Sequence, residues 1–131
     1  MSRNPGAETE VLVVDDQDPF RRAMAAVVEE TDGFVVVGAV ASGEESLIAV
    51  KELRPGLVLM DVNLPGIDGV EASRRLTAAE DGPVVVLLST YDAEDFDIAG
   101  SGAITYVAKA AFGPDRLSES WRAAAGADEP T

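Results

Sequence analysis

The sequence predicts an α/β fold built on a parallel sheet. Short apolar runs alternate with stretches of helical period five times along the chain, the pattern of a parallel sheet with helices on both faces. Four of those runs end in a polar, chemically capable residue: Val11–Val14 leads into Asp15-Asp16, Leu57–Met60 into Asp61, Val84–Leu88 into Ser89-Thr90, and Ile104–Ala108 into Lys109. The length of 131 residues, 47% of them hydrophobic, suits one domain with one full core.

The elements follow in order. Residues 1–9 are polar, contain Pro5-Gly6 and predict a loose tail. Glu10–Val14 is the first strand. Asp18 is a candidate helix cap with Pro19 at the first helical position, and Phe20, Met24, Val27 and Val28 fall on one helical face. Asp32-Gly33 stops that helix before the β-rich run Phe34–Val40. Ser42 and Glu45 form a capping box; Leu47, Ile48 and Val50–Leu53 supply the apolar stripe of a second helix, which Arg54-Pro55-Gly56 ends. Leu57–Asp61 is the third strand and Leu64-Pro65-Gly66 a turn. A third helix spans roughly Asp68–Ala79 and buries Val70 and Leu76. Asp81-Gly82-Pro83 breaks it before the fourth strand, Val84–Leu88, and Ile104–Ala108 is the fifth. Pro114 opens a last helix through Leu117 and Trp121, and residues 126–131 predict a tail or the start of a linker.

One segment resists this pattern. Asp92–Gly102 should supply the fourth crossover helix, yet it is acidic and carries Gly100 and Gly102. Each glycine costs about 1 kcal/mol in helix propensity, so a short or irregular helix is expected.

Right-handed crossovers restrict the topology. The simplest solution is a doubly wound, flavodoxin-like sheet of five strands in the order 2-1-3-4-5. Strands one and three are then neighbours, winding reverses between them, and ligands bind in the crevice beyond their carboxyl ends. Asp15, Asp16 and Asp61 flank that crevice, and Ser89 and Lys109 step outward from it.

Each of these residues has a plainer explanation: an acid can end a strand or cap a helix, a serine can cap, a lysine can simply be solvated. Their gathering at one sheet edge is what favours a site. Three close carboxylates sum to −3 and raise one another's pKa. Lys109 adds +1, and a divalent cation would bring neutrality. Hard oxygen ligands without His or Cys favour Mg²⁺ or Mn²⁺ over zinc. A carboxylate can also attack phosphorus, giving an aspartyl phosphate.

Composition excludes several classes. No cysteine means no disulfide and no thiolate metal site; no histidine means no imidazole base and no histidine phosphocarrier. The formal charge of −14 repels nucleic acid and anionic membranes and suits a basic partner or a divalent cation. The longest apolar stretches are too short to span a bilayer, and the N-terminus lacks the apolar core of a signal peptide. A cytoplasmic location is expected.

With these residues in view, the chain resembles a response-regulator receiver domain over residues 10–125. The pair Asp15-Asp16, the segment Val58–Gly69 around Asp61, the segment Val86–Tyr91, and Tyr106-Val-Ala-Lys109 each match a family motif, in order. The run Gly33–Gly38, Gly43-Glu44-Glu45 and Leu53-Arg-Pro55 is similar to the branch that usually carries a C-terminal LuxR-type helix-turn-helix. The resemblance implies that Asp61 accepts a phosphoryl group from a partner sensor histidine kinase. It implies Mg²⁺ held by Asp16, Asp61, the Asn63 backbone carbonyl and, through water, Asp15. Ser89 and Lys109 would contact the phosphoryl group, Ser89 and Tyr106 would act as the switch, and Asn63 and Tyr91 would tune hydrolysis. The output surface would lie on the fourth helix, fifth strand and last helix, controlling an output such as transcription, with a phosphorylation-dependent homodimer as one form. DNA would be reached only through a further domain. Lys109 is followed by Ala110 where proline is common in the family, and the Tyr91–Tyr106 stretch is short.

Two other readings differ in kind. A receiver-like module could signal through protein contacts without phosphorylation, a reading motivated by the irregular Asp92–Gly102 segment. A Mg²⁺-dependent aspartyl phosphohydrolase would need a second acid two residues after its nucleophile, where Asn63 stands. The expectation is therefore a signalling domain and not an enzyme, with at most slow self-dephosphorylation.

Overall fold

The computed structural model describes residues 8–90 and 99–128. Strand β1 (Thr9–Val14) is followed by α1 (Asp18–Glu30), β2 (Phe34–Val40), α2 (Gly43–Leu53), β3 (Leu57–Asp61), α3 (Gly69–Thr77), β4 (Val84–Ser89), β5 (Thr105–Ala108) and α4 (Pro114–Asp128). The five strands form one parallel sheet in the expected order β2-β1-β3-β4-β5.

Strand parity divides the core into two layers. Val11, Val13, Leu57, Leu59, Val86, Leu88 and Val107 pack with Met24 and Val28 of α1 and Leu117 of α4. Leu12, Val14, Val58, Met60, Val85 and Leu87 pack with Ala49 of α2 and Ala72 and Leu76 of α3. The three central strands are covered on both sides, so they read as unbroken apolar runs. The ring of Trp121 meets Phe34 edge-on at 6.3 Å and 80°, seating α4 beside β2.

Helix α2 starts as expected: Ser42 Oγ accepts from Glu45 N at 3.0 Å, and Glu45 Oε1 accepts from Ala41 N at 2.8 Å. Its buried face is only partly the expected one: Leu47 and Val50 pack on the core as expected. Ile48 is 60% exposed and Leu53 41%, while Gly43, Ser46 and Ala49 are buried. Small residues let the helix approach closely: a Cβ on Gly43 would lie 2.8 Å from Ile67 Cγ1 and 3.2 Å from Ala72 Cβ. Asp68, not a helical residue itself, caps α3 by accepting from Glu71 N at 2.8 Å.

Helix α1 also departs from expectation. Asp18 lies inside the helix and Gln17 holds the cap position without a side-chain bond. Asp15 Oδ1 instead accepts from the cap residue's own N–H, Gln17 N, at 2.9 Å, tying the start of the helix to the end of β1. At the other end of the chain, α4 runs to Asp128, past the expected boundary at Ala125. Most of Asp92–Gly102 lies outside the described residues; its end forms a single 3-10 turn, Ala99–Ser101, followed by Gly102 at φ 79°. Among the described residues no helix is long and apolar enough to cross a membrane.

Candidate functional site

The register brings the strand ends level. Val14 pairs with Met60, Asp61 with Leu88, and Ser89 with Ala108. The residues that follow β1 and β5, and the last residues of β3 and β4, therefore meet at one edge of the sheet. There Asp15, Asp16 and Asp61 each present an oxygen within 4.8 Å of the others. Asp15 is fully buried, Asp61 is 3% exposed and Asp16 faces solvent.

Lys109 closes the cluster. Its Nζ is 2.7 Å from Asp15 Oδ2 and 3.4 Å from Asp61 Oδ2, and its side chain is only 8% exposed. The other oxygens are committed to backbone: Asp15 Oδ1 accepts from Gln17 N, and Asp61 Oδ1 from Asn63 N at 3.2 Å. Arg21 Nη1 donates to the Asp15 carbonyl at 2.9 Å while Nη2 pairs with Asp18. The start of α1 is thus tied to the end of β1. A cavity of about 250 Å³ opens in front, lined by Asp16, Gln17, Asp61, Asn63, Thr90 and Lys109.

Burial pushes the Asp61 carboxyl above its ordinary range, and the neighbouring Asp15 charge pushes it further; Lys109 and the Asn63 N–H pull the other way. The site therefore holds more negative charge than its own cation balances. Asp15 Oδ2 lies close to the ammonium yet receives no hydrogen bond of good angle among the described residues. Three carboxylates with oxygens this close, set against one ammonium, are a fitting ligand set for a hard cation. The acidic cluster can hold a metal ion.

Ser89 is fully buried at the end of β4, and Tyr106 is half-buried in β5 opposite Leu87. By strand parity Ser89 and Tyr106 face the same side of the sheet. Asn63 is exposed at the cavity rim, and Tyr91 lies outside the described residues.

By helical period Phe20 shares a face with Met24 and Val28, which are buried in the core. Its ring instead faces Lys109, with Nζ 4.1 Å from the centroid, and remains 38% exposed. The signal was its position: Phe20 stands at the N-terminal end of the Met24–Val28 stripe, where the helix reaches the sheet edge. Gln17 and Thr90 also line the cavity.

Comparison with known proteins agrees with this geometry. A family model for the response regulator receiver domain matches residues 11–122. Response regulator GacA of Pseudomonas protegens is 42% identical over 103 residues, 77% of this chain and 48% of that protein. A protein-glutamate methylesterase/protein-glutamine glutaminase of Alkalilimnicola ehrlichii is 37% identical over 101 residues, 75% of this chain and 26% of that protein. The chain thus spans about half the length, or less, of these curated relatives. A LuxR-family two-component response regulator from Aurantimonas sp. SI85-9A1 superposes with a TM-score of 0.79 at 27% identity, covering 91% of this chain and 86% of that one. Fold, acidic edge and family match together place the chain among the response-regulator receiver domains, the phosphorylation-based switches of two-component signalling.

Proposed function

We propose that Asp61 is the phosphoryl acceptor of this domain and that a partner histidine kinase is the donor. The observation that carries the reading is the placement of Asp61: buried at the mouth of the cavity, with the Lys109 ammonium shared between it and Asp15. A carboxylate oxygen of Asp61 attacks the phosphorus of the kinase phosphohistidine in line. The new O–P bond forms as the N–P bond breaks, the imidazole nitrogen leaves with the bonding pair, and an acyl phosphate results.

Asp16, Asp61, the Asn63 backbone carbonyl and, through water, Asp15 would hold Mg²⁺ or Mn²⁺, which supplies charge neutralisation at the phosphoryl oxygens. Lys109 pairs with the phosphoryl group and fixes its orientation. Ser89 moves toward the same oxygens, and Tyr106, on the same face of the sheet, repacks behind it. That exchange biases a surface on β5 and α4 between two states, with a phosphorylation-dependent homodimer as one outcome. Asn63 and Tyr91 tune the lifetime of the acyl phosphate.

The −14 charge favours a basic docking face on the kinase and argues against direct nucleic-acid contact by this domain. Control of transcription would act through a separate output domain. Asn63 where a hydrolase needs an acid limits turnover to slow self-dephosphorylation. The cytoplasm, where kinases are charged by ATP, is the matching location. Wild-type protein incubated with Mg²⁺ and a small phosphodonor should acquire one hydroxylamine-labile phosphoryl group, and Asp61→Asn should acquire none. Labelling of Asp61→Asn to the wild-type extent would remove Asp61 from this role.

A further inference from the structure

Lys109 is held from two directions. On one side are the carboxylates of Asp15 and Asp61, at 2.7 and 3.4 Å. On the other is the face of the Phe20 ring, at 4.1 Å from Nζ to centroid. The two holds respond differently to a cation. A divalent ion on Asp15, Asp16 and Asp61 neutralises the acids that attract Lys109 and adds a repulsion of like sign. The attraction between an ammonium and an aromatic face comes from the ring quadrupole and is untouched by metal on the carboxylates.

The ring is itself well placed to hold. Phe20 sits in the first turn of α1, and that turn is tied to Asp15 by Gln17 N–H and by Arg21. Two residues of the same helix stripe, Met24 and Val28, are anchored in the core. A lysine side chain has about 2 kcal/mol of rotamer entropy to regain when released, so a hold that survives metal binding matters.

We propose that Phe20 is a positioning residue that keeps the Lys109 ammonium in the site once a divalent cation is bound, so that the lysine is in place when the phosphoryl group arrives. The proposal rests on the function given above, and its test separates the two. The probes are Mg²⁺ alone and beryllofluoride in saturating Mg²⁺, measured by calorimetry on wild type, Phe20→Leu, Phe20→Tyr and Phe20→Trp.

Leucine keeps the apolar cover and removes the aromatic face. In Phe20→Leu, beryllofluoride affinity should fall about three- to tenfold, while Mg²⁺ affinity should hold or rise because a freed ammonium repels the ion less. Tyr and Trp should restore beryllofluoride binding, Trp most fully. A merely structural role for Phe20 would weaken both ligands together. Equal beryllofluoride affinity in wild type and Phe20→Leu, or a parallel loss of Mg²⁺ and beryllofluoride binding, would overturn the proposal. Failure of the wild type to bind beryllofluoride would instead overturn the phosphoryl-acceptor reading, and with it the premise on which the proposal stands.

Discussion

Replacing Lys109 with methionine keeps most of the stem and removes the cation that pairs with Asp15 and Asp61. At an effective dielectric of about 20, an ammonium 2.7 Å from one carboxylate and 3.4 Å from another gains roughly 6 and 5 kcal/mol. Several kcal/mol of that is offset by desolvating the ammonium. The three side chains are 8%, 0% and 5% exposed, so solvent screens little. Breaking such a buried arrangement costs about 3–5 kcal/mol. In chelator at pH 7, Lys109→Met should therefore lose about 3 kcal/mol by urea unfolding, or roughly 10 °C in Tm. The loss has a sign in pH. Without the ammonium, an acid of the cluster keeps its proton more readily when folded than when unfolded, so stability rises as pH falls, and the deficit should shrink toward pH 5. Mg²⁺ at a hundred times its Kd should return about 2.7 kcal/mol, and its Kd should be lower than for wild type. An unchanged urea midpoint in chelator at pH 7 would refute the view that Lys109 offsets the buried acids.

Three other expectations follow from the same geometry. The carboxyl of Asp61 is raised in the fold above its ordinary value of 3.8, so the folded state holds the proton more tightly and metal-free stability falls as pH rises from about that value through the raised pKa. Asp61→Asn should flatten this slope and unfold at higher urea than wild type at pH 7; an unaltered pH profile would count against it. Asp16 is exposed, so Asp16→Asn should weaken Mg²⁺ about tenfold or more while changing metal-free stability by less than about 0.5 kcal/mol, a split that calorimetry and urea titration can check together. A Cβ on Gly69 would collide with the Asp61 carbonyl oxygen and come within 2.8 Å of Val62 Cα. Gly69→Ala should cost about 2–3 kcal/mol and weaken Mg²⁺ by displacing the end of β3; thermal unfolding within 1 °C of wild type would contradict the close approach.

The strands were legible because β1, β3 and β4 are buried on both faces, leaving continuous apolar runs that stop where the sheet edge meets water. The site was legible for the same reason: acids and a lysine directly after such runs have only that edge to occupy. What escaped was set by tertiary approach. The apolar stripe drawn on α2 included Ile48, which points outward, because the helix packs through Ser46 and Ala49 at close range. Asp18 looks like a cap by residue type, yet the carboxylate that meets the Gln17 N–H belongs to Asp15, already committed to the site. Phe20 fits an apolar helix face by spacing, but at the end of the helix that face no longer covers the sheet and meets Lys109 instead.

The backbone bonds to Asp15 and Asp61 bear on ion selectivity. One oxygen of each acid accepts from a main-chain N–H, and the other faces the lysine. Chelation through both oxygens would make the metal share the oxygen that already accepts a main-chain N–H. An ion that demands six to eight protein oxygens and welcomes bidentate carboxylates, as Ca²⁺ does, is poorly served. A smaller ion that takes one oxygen from each acid and keeps its waters would compete with the Lys109 ammonium for those oxygens but leave both main-chain bonds in place. The same two N–H groups that fold the loops after β1 and β3 would thus bias a cation bound at this edge toward one that needs a single oxygen from each acid.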